Sequence, residues 1–271
     1  MVDGYIVTGP ADRAGLEVRA ASVRGLAHRY YGTVRQDSYA VRLSDDRRWL
    51  IAAVADGVSA GAHSHVAADT ACLAATLEVC ILLAAGPPQE IDWASMFARV
   101  ADRVAAETRV QLGRCARDPG ADLATLAAEA AATLIVAVEA VEAAADGSRE
   151  VHLCGVGDTS GWRLGGNGWH RLLGGKSDGV LANSATAALP VLPSHPPQPV
   201  RTVVPAEQAL VLMTDGIGDP LGDGAGEVGA FLAAQWRGAP PPLEFAAQID
   251  FARRSYDDDR TAIAVWPLEG P

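Results

Sequence analysis

The chain has 271 residues, 49% of them hydrophobic, and a formal net charge of −11, with Lys176 as its only lysine. This composition excludes the clustered Lys and Arg of a nucleic-acid footprint, whereas an acidic excess is compatible with sites that bind cations. We expect that no apolar run reaches the length of a bilayer span and that the N-terminus is not a signal peptide. The four cysteines form no C-x-x-C pair. They predict free thiols, so we expect a cytoplasmic protein.

The first half of the chain predicts a few strands followed by two helices. Residues 1–16 are expected to be a flexible lead-in to a single domain at residues 17–267. Alanine-rich segments at about 62–85 and 91–117 have the apolar spacing of helices. Gly-Pro-Pro at 86–88 separates them, because proline ends a helix. Short apolar runs predict the strands, at 17–24, 38–43 and 49–55.

The second half begins with another series of strands near Ala132. The segments TLIVAVEAV, VHLCGVGD, SGWRL and GWHRLL are separated by turn residues, and residues 174–200 predict a long loop. Consecutive strands with short turns imply antiparallel pairing, which does not fit the βα alternation of a doubly wound sheet. The remaining elements are strands at 200–204, 209–213 and 261–266 and helices at about 226–236 and 242–254.

Aspartates stand at the ends of several predicted strands. Asp37 precedes SYAVRL, Asp56 ends LIAAVAD, Asp215 ends ALVLMTD and Asp258 lies just ahead of TAIAVW. A single Asp-Gly pair is an ordinary turn signal. Several carboxylates converging at one sheet edge would repel each other, and a hard divalent cation would relieve that repulsion. Oxygen ligands favour Mg²⁺ or Mn²⁺ over zinc.

The segment VADGVSAG at 54–61 also fits a different chemistry. Its G-x-S-x-G pattern is that of a turn presenting a nucleophilic serine, here Ser59. A serine hydrolase of this kind needs a histidine late in the chain, but no histidine follows His195. A serine hydrolase that uses Ser59 is therefore the third hypothesis, and Ser59 is more simply interpreted as a small turn residue.

Six segments follow one another along the chain: SVRGLAHRYYGTVRQDSYAV, VADGVSAG, AATLIVAV, VGDTSGWRL, LVLMTDGIGDPL and DDDRTAIAV. In wording and order they resemble the type 2C metal-dependent serine/threonine protein phosphatase family, particularly its divergent bacterial branch. The resemblance implies an α+β fold of two antiparallel sheets packed as a sandwich, with helices on the outer faces (four layers, αββα). It also implies that the substrate is a phosphorylated protein and that the chain opposes a serine/threonine kinase. The resemblance leaves the oligomeric state open.

Transferred to this sequence, the resemblance implies two Mn²⁺ or Mg²⁺ ions. Asp56 would bridge both ions, and the carbonyl of Gly57 would bind one of them. Asp215 and Asp258 would complete the shell of the other ion. Asp37 would hold metal-bound water, so that Asp56 and Asp37 are the predicted catalytic residues. Two such ions lower the pKa of water and clamp the attacking and leaving oxygens of a phosphoryl group.

The sequence departs from the family pattern where the substrate phosphate would bind. Arg35 stands where the family usually has Asn, and Gly32 where it often has a phosphate-binding Arg. We expect Arg29 or Arg35 to bind phosphate instead, because a guanidinium can do so bidentately. Many bacterial members have a third-metal aspartate where this chain has Ala128 and Glu129, so a third ion is not supported.

These departures leave a second hypothesis open. The chain could be a catalytically weak pseudophosphatase that acts as a binding or regulatory module. The strand-end ligands favour the enzyme, whereas the lost Asn and Arg favour the module. Asp219, four residues after Asp215, is assigned to the outer shell of the metal site.

Overall fold

The computed structural model describes residues 1–9, 15–114, 122–175 and 187–268. The strands are β1 (Val2–Thr8), β2 (Gly15–Val23), β3 (Ser38–Leu43), β4 (Trp49–Ala55), β5 (Leu134–Ala140), β6 (Arg149–Val156), β7 (Ser160–Gly165), β8 (Gly168–Gly174), β9 (Val200–Val204), β10 (Ala209–Met213) and β11 (Arg260–Pro267). The α-helices are α1 (Leu26–Tyr31), α2 (Ser64–Ala85), α3 (Trp93–Arg114), α4 (Leu123–Glu129), α5 (Asp215–Leu221), α6 (Glu227–Gln235) and α7 (Pro242–Ile249).

The strands form two antiparallel sheets that pack face to face. One has the order β1-β2-β11-β10-β7-β8 and the other β3-β4-β5-β6-β9. Alternate residues of the central strands fill the space between the sheets, as the period of two of a strand requires. These buried residues include Val18, Val54, Ile135, Leu212 and Ile263. The predicted sandwich of two antiparallel sheets with outer helices is confirmed.

Helices cover both outer faces, and α2 lies against β3 and β4. The face of α2 that packs into this core consists largely of alanines, with Ala68, Ala71 and Ala75 fully buried. Small side chains allow a helix backbone to approach a sheet closely, so every added atom at these positions meets a packed neighbour. We call these three residues the alanine face of α2.

The length and composition of α2 also match those of a membrane-spanning helix. The expectation that no segment reaches this length is therefore wrong. Of its most apolar window, 56% is buried inside the structure, where it contacts β3, β4 and α3. Such burial is typical of the core helix of a sandwich, whose apolar residues face protein on several sides.

The expected flexible lead-in at residues 1–16 is wrong for the residues described there. Val2–Thr8 forms β1, which pairs with β2 from Val2↔Ala21 to Thr8↔Gly15. The Met1 ammonium donates a hydrogen bond to the Ser22 carbonyl at 2.9 Å. No residue of β1 is fully buried, so this edge strand lacks the apolar alternation that would have revealed it. Backbone pairing, which leaves no sequence pattern, holds it in place.

Three short helices, α1, α4 and α5, were also not predicted. They have only 6, 7 and 7 residues, less than two helical turns, so no apolar spacing can repeat within them. Of the predicted loop at 174–200, residues 176–186 lie outside the described part, as do residues 115–117 of the second predicted helix. The described part of the loop is joined to the sheet at Leu189, whose N–H donates to the Ala132 carbonyl at 2.8 Å.

Candidate metal centre

The five-stranded sheet brings the first two predicted ligands together. In the β3–β4 pair, Ser38 lies opposite Ala55, so Asp37 and Asp56 leave the same end of the pair. The Asp56 carbonyl accepts the N–H of Thr133 at 2.8 Å, which fixes the backbone after β4. Asp37 is buried, with 3% of its surface exposed, whereas Asp56 is only partly buried.

The six-stranded sheet brings the other two predicted ligands to the same end of the sandwich. Met213 lies opposite Ala262 in the β10–β11 pair, and the Thr214 N–H donates to the Thr261 carbonyl at 3.0 Å. The chain therefore leaves β10 at Asp215 close to where it enters β11 after Asp258. Both aspartates are partly exposed, as ligands at the mouth of a cleft would be.

A hydrogen bond of Thr214 connects the two sheets at this point. Its hydroxyl donates to Asp37 Oδ2 at 2.8 Å and accepts the N–H of Thr261 at 3.1 Å. The hydroxyl of Ser22 in turn contacts that of Thr261. Thr214 thus holds one oxygen of Asp37 in place and aligns the two sheet edges. The sequence analysis did not single out Thr214, because a threonine at a strand end is unremarkable by itself.

The carboxyl groups disturb one another's protonation. Burial raises the pKa of Asp56 well above its usual range, and the charges of Asp37, Asp215 and Asp258 raise it further. A hydrogen bond with Asp215 acts in the same direction. Burial also raises the pKa of Asp37 well above normal, with the charge of Asp259 as the next cause; hydrogen bonds from Thr214 and Thr261 oppose the shift. The pKa of Asp258 is raised mainly by burial.

Negative groups that raise each other's pKa make the site costly to keep ionised unless a cation is bound. The donor set of Asp37, Asp56, Asp215 and Asp258 offers only oxygen atoms, which suit Mg²⁺ and Mn²⁺. The residues present therefore fit the divalent ions that the sequence predicted.

Asp259 supports this site and was not recognised in the sequence. Its carboxylate is 2% exposed and accepts the backbone N–H of Gly25 at 2.7 Å through Oδ1 and that of Gln36 at 2.5 Å through Oδ2. His28 Nδ1 lies 2.9 Å from Oδ1. Neighbouring side chains alternate along an extended chain, so Asp259 turns to the segment before Asp37 while Asp258 lies near Asp215.

His28, Asp258 and Asp259 each offer one potential ligand atom, and these atoms lie within 4.8 Å of one another. Both oxygens of Asp259 already accept backbone N–H groups, so we interpret Asp259 as a positioning residue. The run Asp257-Asp258-Asp259 ahead of β11 was the available sequence signal.

The comparison with known proteins agrees with this geometry. The profile of the family described as Protein phosphatase 2C matches residues 24–242. The chain belongs to the protein phosphatase 2C family. No curated protein sequence matches it.

Several solved structures share the fold of this phosphatase 2C chain. The catalytic domain of the serine/threonine phosphatase PstP in complex with 2 manganese ions is 18% identical with a TM-score of 0.58, covering 94% of this chain and 99% of that one. RsbX in complex with magnesium is 13% identical with a TM-score of 0.58, covering 98% and 100%. PppA, a regulatory component of T6SS in Pseudomonas aeruginosa, is 16% identical with a TM-score of 0.56, covering 97% and 100%. At these identities the likeness shows the fold.

Gly57 was predicted to bind metal through its carbonyl, and this stays a prediction for the phosphatase 2C chain. The structure gives a separate reason for glycine at this position. A Cβ on Gly57 would lie 2.7 Å from the Gln36 carbonyl oxygen and 2.9 Å from that of Ser64. Close approach of three backbone segments, rather than a sharp turn, requires glycine here.

Asp219 lies one helical turn after Asp215 on α5, and both line a cavity of about 270 Å³ together with Asp158. This position is compatible with the outer-shell role predicted for Asp219, which stays a prediction. A larger cavity of about 740 Å³ adjoins Trp49, at the end of β4 opposite the carboxylates.

Both candidate phosphate-binding arginines interact with other groups in this structure. Arg29 forms an ion pair with Asp250 at 2.7 Å, and Arg35 donates to the Ser22 carbonyl at 3.2 Å. Gly32 ends α1 with a left-handed conformation, φ 69°, which glycine adopts without strain. Phosphate binding by Arg29 or Arg35 therefore stays a prediction.

Ser59 lies exposed in the turn between β4 and α2. Within residues 1–9, 15–114, 122–175 and 187–268, no hydrogen bond joins Ser59 to a histidine. A nucleophilic serine requires an adjacent base. The third hypothesis, a serine hydrolase, thus gains no support from the geometry.

Proposed function

We propose that the chain is a metal-dependent phosphatase that hydrolyses phosphoserine or phosphothreonine on proteins. The observation that carries the proposal is the convergence of Asp37, Asp56, Asp215 and Asp258 from two sheets onto one cleft, where burial and neighbouring carboxylates raise the pKa values of Asp37, Asp56 and Asp258. Membership of the protein phosphatase 2C family supports this reaction class. A kinase that phosphorylates serine or threonine is the matching opposing partner.

We assign Mn²⁺ or Mg²⁺ as the cofactor, with two ions bound by Asp56, the Gly57 carbonyl, Asp215 and Asp258. The manganese ions of PstP and the magnesium of RsbX support this assignment. When bound, two such ions supply an activated water at neutral pH and neutralise charge on the transferred phosphoryl group. Ala128 and Glu129 still give no support for a third ion.

The chain's own residues orient and receive protons around this centre. The Thr214 hydroxyl donates a hydrogen bond to Asp37 Oδ2. Oδ1 of Asp37 can therefore accept a hydrogen bond from another donor, such as a water. A water held there can pass a proton to Asp37, because an ionised carboxylate within hydrogen-bond distance of a water can act as a general base. The buried wall of Asp37 and Asp259, 3% and 2% exposed, excludes bulk water from one side.

We assign phosphate recognition to Arg29 or Arg35. The Arg29 side chain is 36% exposed and its partner Asp250 35%, and an exposed ion pair of this kind contributes about 0–1 kcal/mol. Exchange of Asp250 for a substrate phosphate would therefore cost little. Arg35 is half-buried and would have to leave the Ser22 carbonyl.

The second candidate function is a pseudophosphatase that binds a partner or phosphoprotein without turning it over. One observation favours it: a Cβ on Gly32 would meet no atom within 4 Å, so the place of the family's arginine is open space. Because both candidates have the same fold, only the turnover of a phosphorylated substrate distinguishes them.

Hydrolysis of a small aryl phosphate with Mn²⁺, and then with chelator, tests the proposal. We expect turnover that chelator abolishes and that Asp56→Asn reduces by more than about 100-fold, while Ser59→Ala leaves it unchanged. Turnover that survives chelation and Asp56→Asn would contradict the metal mechanism, and loss in Ser59→Ala would favour the serine hydrolase. Metal-dependent stabilisation without turnover would identify the pseudophosphatase.

The proposed location is cytoplasmic. Cys72, Cys80 and Cys154 are free thiols, and burial raises the pKa of Cys154 to about 12. Buried thiols that stay protonated are typical of proteins in reducing compartments. Fractionation of cells that express the tagged chain would test the location.

A further inference from the structure

A group of exposed apolar side chains borders the carboxylate cluster. Tyr30 and Tyr31 at the end of α1 are 84% and 75% exposed, and Leu26 and Val34 flank them at 42% and 53%. Val58, two residues after Asp56, is 37% exposed. We refer to Leu26, Tyr30, Tyr31, Val34 and Val58 as the aromatic rim.

Folding of the chain does not explain the rim. No residue of α1 is buried, so this helix gains nothing from the apolar burial that stabilises most short helices. Its anchors are polar instead: His28 contacts Asp259 and Arg29 pairs with Asp250. The tyrosine rings contact each other edge to face, with centroids 5.0 Å apart.

The anchors place the rim beside the site. Asp259 accepts the N–H groups of Gly25 and Gln36, so the segment between them, which carries four rim residues, is held at both ends by the neighbour of Asp258. Tyr30 follows His28 by two residues, and their Cα atoms are therefore at most about 7.6 Å apart. With the His28 side chain and its 2.9 Å contact to Asp259 added, the Tyr30 Cα lies at most about 14 Å, or about four residues of extended chain, from the Asp259 carboxylate.

Charge narrows the choice of what covers the rim. With a formal charge of −11, the chain repels a second copy of itself and an anionic lipid surface at long range. A phosphorylated segment is also anionic, but the divalent ions of the proposed centre would offset its repulsion, and the rim lies beside the place where its phosphate would bind. Exposed apolar clusters surrounded by polar groups commonly bind protein, and tyrosines supply large contact areas with few rotatable bonds.

We propose that the aromatic rim docks the segment flanking the phosphorylated residue of the protein substrate, and selects substrates with a hydrophobic side chain about four residues from the phosphate. This inference rests on the proposed function, because it takes the carboxylate cluster as the place where the phosphate binds. It adds a substrate class: phosphoproteins whose phosphosite is flanked by Leu, Ile, Val or an aromatic residue.

The test compares two phosphoserine peptides that differ only in Leu or Gly at that position. With the wild-type chain and Mn²⁺, we expect kcat/KM to be about tenfold higher for the Leu peptide, the factor that 1.4 kcal/mol produces. In the double variant Tyr30→Ala/Tyr31→Ala the ratio should fall to about one. Tyr30→Phe/Tyr31→Phe should keep it, because the ring faces remain. An unchanged ratio in the alanine variant, or its loss in the phenylalanine variant, would overturn the proposal.

Tyr5→Ala is the matched control. Tyr5 is exposed, at 42%, and lies opposite Val18, which is itself opposite Val265. Val265 is about 16 Å along β11 from Arg260 and the carboxylate end. This variant should keep the wild-type ratio, and a collapse of the ratio in Tyr5→Ala as well would assign the effect to general destabilisation and overturn the docking role.

Two further measurements separate the possible failures. If the wild type hydrolyses neither peptide nor an aryl phosphate, the proposed function fails, and the Leu-to-Gly ratio is then measured as a ratio of Kd values by fluorescence anisotropy. If the wild type turns over both peptides equally, the docking inference fails alone. A wild-type dimer that becomes monomeric in Tyr30→Ala/Tyr31→Ala by light scattering would make the rim a contact between copies and overturn the proposal.

Discussion

The carboxylate of Asp259 accepts the backbone N–H of Gln36 at 2.5 Å, joining residues that are 223 positions apart in the chain. Gln36 precedes Asp37 and Asp259 follows Asp258, so a single hydrogen bond sets the relation between two predicted metal ligands on different sheets. Geometry of this kind is what a metal site requires of the residues around its ligands.

Asp259→Ala should destabilise the protein and weaken metal binding together. The change leaves two buried N–H groups without an acceptor, and we expect a loss of about 3 kcal/mol in the free energy of unfolding. Urea denaturation and Mn²⁺ titration would measure the two effects. Asp257→Ala is the matched control, because Asp257 is exposed and accepts from Ala27 through its backbone carbonyl. Equal behaviour of the two variants would contradict the positioning role.

Stability should depend on pH in opposite ways with and without metal. Because the pKa values of Asp37, Asp56 and Asp258 are raised in the folded state, the folded chain keeps protons that the unfolded chain has lost. Their contribution to stability in chelator is therefore most favourable below about pH 4 and declines as pH rises through the folded-state pKa values. Mn²⁺ binds the deprotonated carboxylates, so the stabilisation that it adds should grow with pH.

Melting temperatures at about pH 5 and about pH 8, each with chelator and with millimolar Mn²⁺, would check this dependence. Other carboxylates of the acidic chain also titrate, so Asp56→Asn serves as the reference. In that variant the increase in Tm caused by Mn²⁺ should be small at both pH values. A Mn²⁺ effect that shrinks as pH rises would contradict the assignment.

At the end of the sandwich opposite the carboxylates lies a buried ion pair. Removing one partner should lower the free energy of unfolding strongly, whereas replacing both partners with apolar residues should lower it little. Glu139 and Arg149 are each 1% exposed and lie 2.8 Å apart, and Arg149 also donates to the Gln208 carbonyl of the other sheet at 2.9 Å. Burial raises the pKa of Glu139, although Arg149 opposes the shift. Arg149→Met should cost about 3–5 kcal/mol, because it leaves a buried carboxyl without a partner.

The double variant Glu139→Leu/Arg149→Met should recover most of that loss, since it removes both charges. Denaturant unfolding of the single and double variants gives the comparison. If the double variant were as unstable as Arg149→Met, the pair would be contributing packing or specificity that apolar residues do not replace.

The two candidate phosphate-binding arginines make a kinetic prediction. Replacement of the one that binds phosphate with alanine should raise KM for a phosphopeptide, with a smaller effect on kcat if the contact is equal in ground and transition states. Lysine should restore only part, because it lacks the bidentate fork. Arg253→Ala is a suitable control, since Arg253 pairs with the exposed Glu227. Unchanged kinetics in both Arg29→Ala and Arg35→Ala would end this idea.

Much of the fold was predictable where strands are buried on both faces. β4 has the predicted bounds, 49–55, and is buried along all but its first residue, because its apolar run ends sharply at polar residues. β3 also has its predicted bounds, 38–43, although Arg42 is exposed. β1 was not predictable, since Gly4 and several exposed residues remove its alternation, and its pairing with β2 orders its backbone. Edge strands depend on tertiary pairing that a single sequence does not display.

The residues of the candidate site also fall into those that the sequence singled out and those that it did not. Asp37, Asp56, Asp215 and Asp258 were singled out because each one stands at the edge of a predicted strand, and their role as metal ligands stays a prediction. Asp259 and Thr214 act across the gap between sheets, with bonds to Gln36 and Asp37 over more than 170 positions. Contacts at that separation follow from how the sheets pack, and packing is decided by many residues together.

The alanine face of α2 has a consequence for how the protein tolerates mutation. Every single-base change in an alanine codon that alters the residue gives Val, Thr, Ser, Pro, Gly, Asp or Glu. At Ala68, Ala71 and Ala75, which are fully buried, most of these either overpack the contact with the sheet, at about 1–3 kcal/mol, or bury a polar group or break the helix. Because alanine is already small, substitutions in this core can hardly remove side-chain atoms, and most of them add atoms and lower the stability. We therefore expect α2 to be under purifying selection that acts mainly against larger residues.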